Sequence, residues 1–142
     1  MENSITKLFV YGSLRSGFHH PAYEYISKYF TLISEARVKG KMYDLGSYPA
    51  AVPTTDDYFI IGELYDLKNP SDFAWAIEQL DDYEGLNPEE GEMQLYKREL
   101  AEVFHNDRQA TAWIYWYNGT VEGQPLIVSG DVLEFISHKR KF

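Results

Sequence analysis

Residues Tyr96–Tyr117 read YKRELAEVFHNDRQATAWIYWY and contain two long strand-like runs. The runs, Tyr96–His105 and Ala110–Tyr117, are rich in aromatic and β-branched residues, and side chains of the second run alternate between two faces. Asn106-Asp107 between the runs favours a hairpin, with a connection that we expect to be longer than a two-residue turn. This stretch therefore predicts two neighbouring strands of one sheet.

Further segments upstream have the composition of strands and helices. The predicted strands are Ile5–Tyr11, Ala36–Leu45 and Tyr58–Leu67. The predicted helices are Pro21–Phe30 and a second one that begins at Ser71 as N-cap and runs to about Tyr83, with Gly85 as its stop signal. Gly46-Ser47-Tyr48-Pro49 is expected to be a loop. Because five strands outnumber two helices, a regular βαβ repeat is excluded, and we predict an α+β fold. The strands form a small, mostly antiparallel β-barrel, with the helices packed outside.

Composition restricts the classes of function. The chain has 142 residues, the usual size of one domain, so residues 1–142 are expected to form a single domain. It contains no cysteine, which excludes disulfides, thiolate metal sites and thiol nucleophiles. A net charge of −9 disfavours nucleic acid as a partner. The sequence has neither a membrane-spanning apolar run nor a signal peptide, so we expect no membrane association and a cytoplasmic protein.

The predicted second helix directs attention to one carboxylate. Its apolar residues Phe73, Ile77 and Leu80 are spaced by four and three, and a further step of four reaches Glu84. The pattern places Glu84 on the apolar face at the end of the helix, beside Gly85.

Burial at that position changes the chemistry of a glutamate. Desolvation and the negative end of the helix dipole both raise its pKa, and a glutamate tuned in this way suits a general base near neutral pH. The alternative is that the helix end frays and Glu84 turns to solvent. Asp81 and Asp82 are expected to point away from the apolar face and to be ordinary solvated acids.

The turn after the first strand, Tyr11-Gly12-Ser13-Leu14-Arg15, is a second candidate site. Gly12 allows a sharp turn, and successive N–H groups in such a turn can bind a carboxylate or stabilise an oxyanion. The alternative is a structural tight turn. His19-His20 lacks the spacing of a known metal motif, so no metal and no cofactor are expected.

Five short motifs in order resemble one known family. They are Tyr11-Gly12-Ser13-Leu14, Leu45-Gly46-Ser47-Tyr48-Pro49-Ala50, Gly62-Glu63-Leu64-Tyr65, Leu80-Asp81-Asp82-Tyr83-Glu84-Gly85 and Tyr96-Lys97-Arg98. Ser129-Gly130-Asp131 matches a further C-terminal feature. The chain resembles the γ-glutamylcyclotransferase-like, or AIG2-like, superfamily from Leu8 to about Phe135, and departs from it in the acidic segment Gly85–Glu92.

The resemblance implies a fold, an activity and a set of site residues. It implies a small β-barrel with flanking helices and a cavity on one side. Glu84 matches the catalytic glutamate, and Tyr11, Gly12, Ser13 and Leu14 match the substrate-holding loop. The implied substrate is a small γ-glutamyl amine or peptide, which the enzyme cyclises to 5-oxoproline without metal or cofactor. A non-catalytic module that binds a small amino-acid-like ligand is the alternative.

Overall fold

Six strands and two α-helices make up the part of the chain that the structure, a computed structural model, describes: residues 5–11, 22–45, 49–83 and 96–131. In chain order they are β1 (Lys7–Val10), α1 (Ala22–Tyr29), β2 (Phe30–Asp44), β3 (Pro49–Pro53), β4 (Phe59–Leu67), α2 (Phe73–Tyr83), β5 (Tyr96–His105) and β6 (Arg108–Tyr117). A short 3₁₀ turn, Pro70–Asp72, leads into α2.

Five of these strands form a closed barrel. The strand order is β3-β2-β4-β1-β6-β5, and an additional pairing of β2 with β5 at Arg37 and Phe104 joins the two ends of the barrel. All neighbouring strands run antiparallel except β1 and β6, which are parallel. The predicted α+β fold, with a small and mostly antiparallel barrel, is confirmed, and so is the prediction that the five predicted strands share one sheet.

Side-chain alternation divides the core between the barrel interior and its outer face. The interior is filled by apolar side chains from all five barrel strands, among them Phe9, Val38, Leu64, Val103 and Ile114. The outer cluster joins β1, β4 and β6 to the two helices through Leu8, Val10, Ile26, Tyr65, Ile77, Leu80 and Tyr115. Both helices therefore cover one side of the barrel, as their apolar spacing predicts. Neither helix in the described ranges is long and apolar enough to cross a membrane.

The connection between β5 and β6 is tighter than predicted. His105 pairs directly with Arg108, so Asn106 and Asp107 alone form the turn. Both have positive φ, at 47° and 61°. Asn and Asp tolerate this left-handed region better than most residues, and it gives the backbone the twist that a two-residue hairpin requires. The expectation of a longer connection is wrong.

Several other boundaries differ from the sequence expectations: β2 begins at Phe30 and not at Ala36, and β6 begins at Arg108 and not at Ala110. Pro49 was predicted as part of a loop but begins β3. Among the described strands β3 pairs with β2 alone, at the end of the strand order, and such an edge position tolerates proline. Asn69 is the N-cap of the 3₁₀ turn that leads into α2, and its side-chain oxygen accepts a hydrogen bond from the Ser71 amide at 3.1 Å. Ser71 is therefore not the N-cap. Residues 46–48, the stop signal Gly85 and the acidic segment up to Glu92 lie outside the described residues.

The Ser129-Gly130-Asp131 motif has a structural explanation. The Ile61 amide at the start of β4 donates to the Gly130 carbonyl at 2.9 Å, so the motif packs directly on a barrel strand. Gly130 has φ of +67°, and a Cβ at this position would stand 1.9 Å from the Phe59 carbonyl oxygen. Only glycine fits both the conformation and the approach.

Candidate active site

Only one of the five predicted site residues lies within the described residues. Tyr11 is described, whereas Gly12, Ser13, Leu14 and Glu84 lie outside the described residues. Their sequence neighbours are placed, because Tyr11 directly precedes Gly12 and α2 is described up to the residue before Glu84. Tyr11 and the end of α2 therefore give the two points at which the candidate segments join the described part of the chain.

Tyr11 directly follows β1, and its ring belongs to the barrel interior. The side chain is buried, packs at 6.4 Å between ring centroids from Phe9, and belongs to the interior cluster that also contains Trp116. Its hydroxyl donates a hydrogen bond to the backbone carbonyl of Tyr115 on β6. This bond fixes the position from which the Gly12–Leu14 segment starts.

Asp81, in the last turn of α2, is held by donors from two strands. Arg98 of β5 donates through Nε to Oδ1 at 2.7 Å and through Nη2 to Oδ2 at 3.0 Å. The Tyr115 hydroxyl donates to Oδ1 at 2.7 Å. The side chain of Asp81 is only 15% exposed, so the expectation of a solvated acid is wrong. Asp81 lies four residues after Ile77, at the edge of the buried face of α2, which brings it to the barrel. The side chain of Asp82 lies outside the described part.

Arg98 provides a positive charge that α2 itself lacks. The last turn of α2 contains no basic residue, and an aspartate at the negative end of a helix dipole is unfavourable there. The Arg98 guanidinium offsets this, and it also lies 4.5 Å from the ring centroid of Trp113. The hydrogen bonds to Asp81 raise the pKa of Arg98 above its ordinary value.

Tyr115 bonds to one described residue in each of the two motifs that contain the candidate site. Its backbone carbonyl accepts from Tyr11, and its hydroxyl donates to Asp81. We refer to Asp81, Arg98, Tyr115 and Tyr11 as the Asp81 network. One tyrosine of β6 thus binds both the residue before Gly12 and the residue three positions before Glu84. Three members of this network, Tyr11, Asp81 and Arg98, lie in motifs singled out from the sequence, but the motifs alone do not reveal that these residues meet.

A half-open cavity of about 250 Å³ is lined by residues of β2, β3, β5 and β6. Val38, Glu99, Ala101 and Trp116 are among its lining residues. Trp116 also belongs to the interior cluster that contains Tyr11, although Tyr11 does not line this cavity. Among the residues that the structure describes, no group of three or more His, Cys, Asp or Glu side chains could hold a metal ion.

Comparison with known proteins identifies the family. The sequence profile described as "Gamma-glutamyl cyclotransferase, AIG2-like" matches residues 8–133, which include all five motifs and the whole Asp81 network. The chain belongs to this family. The γ-glutamylcyclotransferase family protein YtfP of Escherichia coli K12 is 32% identical over 129 residues, covering 90% of this chain and 96% of YtfP.

Solved structures agree with this assignment to the AIG2-like family. The chain is similar to the solution structure of E. coli YtfP, with a TM-score of 0.60, 29% identity and coverage of 92% of this chain and 98% of YtfP. It is similar to YkqA of Bacillus subtilis, with a TM-score of 0.66 and 27% identity, over 96% of this chain but 43% of YkqA. An AIG2-like protein from Mus musculus shares the fold at a TM-score of 0.61 and 16% identity, over 84% of this chain and 82% of that protein.

Proposed function

We propose that this AIG2-like protein is an enzyme that cyclises the γ-glutamyl group of a small γ-glutamyl amine or peptide to 5-oxoproline and releases the amine. Membership in the family supports the class of reaction. The structural observation that supports it best is the double role of Tyr115, which bonds the residue before the Gly12 segment and the residue three positions before Glu84. These two bonds favour one shared site for the two segments at this end of the barrel.

Glu84 is proposed to act as the general base. The α-amine of a γ-glutamyl compound is largely protonated near neutral pH and is a nucleophile only after it has lost a proton. Glu84 takes this proton, and the neutral amine attacks the γ-carbonyl carbon of the same molecule, which closes a five-membered ring. Protonated Glu84 then returns the proton to the departing amine. The reaction consumes no water and needs no redox partner.

The Gly12–Leu14 turn is proposed to bind the anionic parts of the substrate. Its backbone N–H groups can donate to the oxyanion that forms on the γ-carbonyl oxygen during ring closure, and a free anion from buffer should bind at the same place. Holding the substrate folded on itself brings the amine and the carbonyl together, which supplies much of the rate enhancement.

The activity is tested by mass-spectrometric detection of 5-oxoproline. The purified protein is incubated with glutathione, several γ-glutamyl amino acids and ε-(γ-glutamyl)-lysine, each with a protein-free blank for spontaneous cyclisation. We expect 5-oxoproline and the free amine in equal amounts from at least one compound. No product above the blank from any compound, with a folded protein, would overturn the proposal. Calorimetric binding of the same compounds without turnover would then identify a non-catalytic ligand-binding module.

A further inference from the structure

The Asp81 network connects α2 to β5, β6 and the residue after β1 through groups that are mostly buried. Tyr115 is 4% exposed, and the side chains of Arg98 and Asp81 are 22% and 15% exposed. Both carboxylate oxygens of Asp81 accept hydrogen bonds from protein donors. A carboxylate whose two oxygens are occupied in this way is fixed in place, and it is not presented to a substrate as a base.

We infer that Asp81 is a positioning residue: the Tyr115 hydroxyl and the Arg98 guanidinium hold it, so that the end of α2 keeps a fixed position relative to Tyr11. The inference rests on the proposed role of Glu84 as the base. Asp81 precedes Glu84 by only three residues along the chain, so we expect a displacement of Asp81 to reach Glu84 as well. Asp81 itself exchanges no proton with the substrate.

The geometry explains why the constraint comes from outside the helix. The last turn of a helix frays easily, because its carbonyl groups have no intrahelical partners. In α2 the last turn has no basic residue, and three acidic side chains lie near this end of the helix: Glu78, Asp81 and Asp82. Arg98 and Tyr115 come from barrel strands that are paired along their length. Bonds to them transfer the rigidity of the sheet to the end of the helix. General base catalysis depends on such positioning, because a misplacement of about 1 Å can cost on the order of 100-fold in rate.

The variant Tyr115→Phe removes one hydroxyl and leaves the rest of the network in place. The ring remains in the outer cluster, the Tyr115 carbonyl still accepts from Tyr11, and Asp81 keeps its two bonds from Arg98. The variant is therefore expected to fold. Tyr117→Phe is the matched control, because it removes a hydroxyl two residues along the same face of β6, from a ring that packs against Tyr96.

The first readout does not depend on activity. Hydrogen-exchange mass spectrometry is used to follow a peptide that covers the last turn of α2 and residue 84. Loss of one charge-assisted hydrogen bond should speed local exchange there by about tenfold in Tyr115→Phe, and the control should exchange as the wild type does. Unchanged exchange in Tyr115→Phe would overturn the inference, whatever the protein does to γ-glutamyl compounds.

The second readout uses kinetics with a substrate that the wild type turns over. Tyr115→Phe should lower kcat by about 10- to 100-fold with KM little changed, since the base is misplaced and the binding groups are not. In a Glu84→Gln background the same substitution should have no further effect, because the residue acts through Glu84. A full additional loss in that background would overturn the positioning role. Failure of the wild type to form 5-oxoproline would instead overturn the proposed function, so the two failures are distinguishable.

Discussion

The ion pair between Asp81 and Arg98 should contribute measurably to stability, unlike the surface pairs of this protein. We test this with a double-mutant cycle of Asp81→Ala and Arg98→Met, in which methionine keeps much of the apolar stem of Arg98 and removes its charge. The control cycle uses Lys39→Met and Asp57→Ala, a pair 3.7 Å apart whose side chains are 42% and 97% exposed.

The geometry of the two pairs sets the expected coupling energies. Arg98 makes two charge-assisted hydrogen bonds to Asp81, at 2.7 and 3.0 Å, with both side chains mostly shielded from water. Such bonds contribute about 1.5–3 kcal/mol each when buried, and the remaining exposure reduces this, so we expect a coupling of about 2 kcal/mol. For the Lys39–Asp57 pair we expect no more than about 0.5 kcal/mol.

Urea unfolding followed by circular dichroism gives the required free energies. With a denaturant dependence of about 2 kcal/mol per molar urea, a coupling of about 2 kcal/mol corresponds to about 1 M in the unfolding midpoint. Circular dichroism is preferred to fluorescence because Arg98 lies over Trp113. A coupling for Asp81 and Arg98 equal to that of the control pair would refute the argument that this contact is shielded and energetically significant.

Two further predictions concern the backbone and the base. Gly130→Ala should lower the free energy of unfolding by more than about 2 kcal/mol, because its Cβ would stand 1.9 Å from the Phe59 carbonyl oxygen in addition to the cost of positive φ. Gly123→Ala is the control in the same unfolding assay, because Gly123 has φ of +80° and open space around it, so this variant shows the conformational cost alone. Equal losses for both variants would contradict the packing explanation. In the pH profile of kcat/KM, activity should fall tenfold per pH unit below the pKa of Glu84, since only the deprotonated carboxylate accepts a proton. We expect this pKa to lie above the ordinary glutamate value of about 4.3. A rate that persists unchanged to pH 4 would contradict a glutamate base.

The sequence predicted the fold well wherever one local pattern dominates. The boundaries of β5 coincide with the predicted run, and the apolar spacing in α2 correctly identified Ile77 and Leu80 as buried. β3 was missed because its two prolines suggest a loop, and only the pairing with β2 at the edge of the sheet makes them acceptable.

The candidate site was predictable only in part, because its contacts are not local. Asp81 and Arg98 are 17 residues apart, and Asp81 and Tyr115 are 34 apart. Helical periodicity led to the wrong expectation that Asp81 is a solvated acid, and it gives no information on which strand will provide its partner. The roles predicted for Glu84 and for Gly12–Leu14 stay predictions, supported by the positions of Asp81 and Tyr11 at the ends of the neighbouring elements.

The central claim is that Glu84 is the base of a cyclotransferase, and one comparison tests it most directly. The rate of 5-oxoproline formation is measured for Glu84→Gln and for Glu78→Gln, which removes an exposed carboxylate from the same helix. We expect Glu84→Gln to lose about 10²- to 10⁴-fold in rate. Its melting temperature should equal or exceed that of the wild type, because the burial predicted for Glu84 makes the charged form costly to desolvate. Glu78→Gln should keep the wild-type rate. Lost activity together with a collapsed melting temperature would indicate a structural role for Glu84, and a wild-type rate in Glu84→Gln would contradict its role as the base.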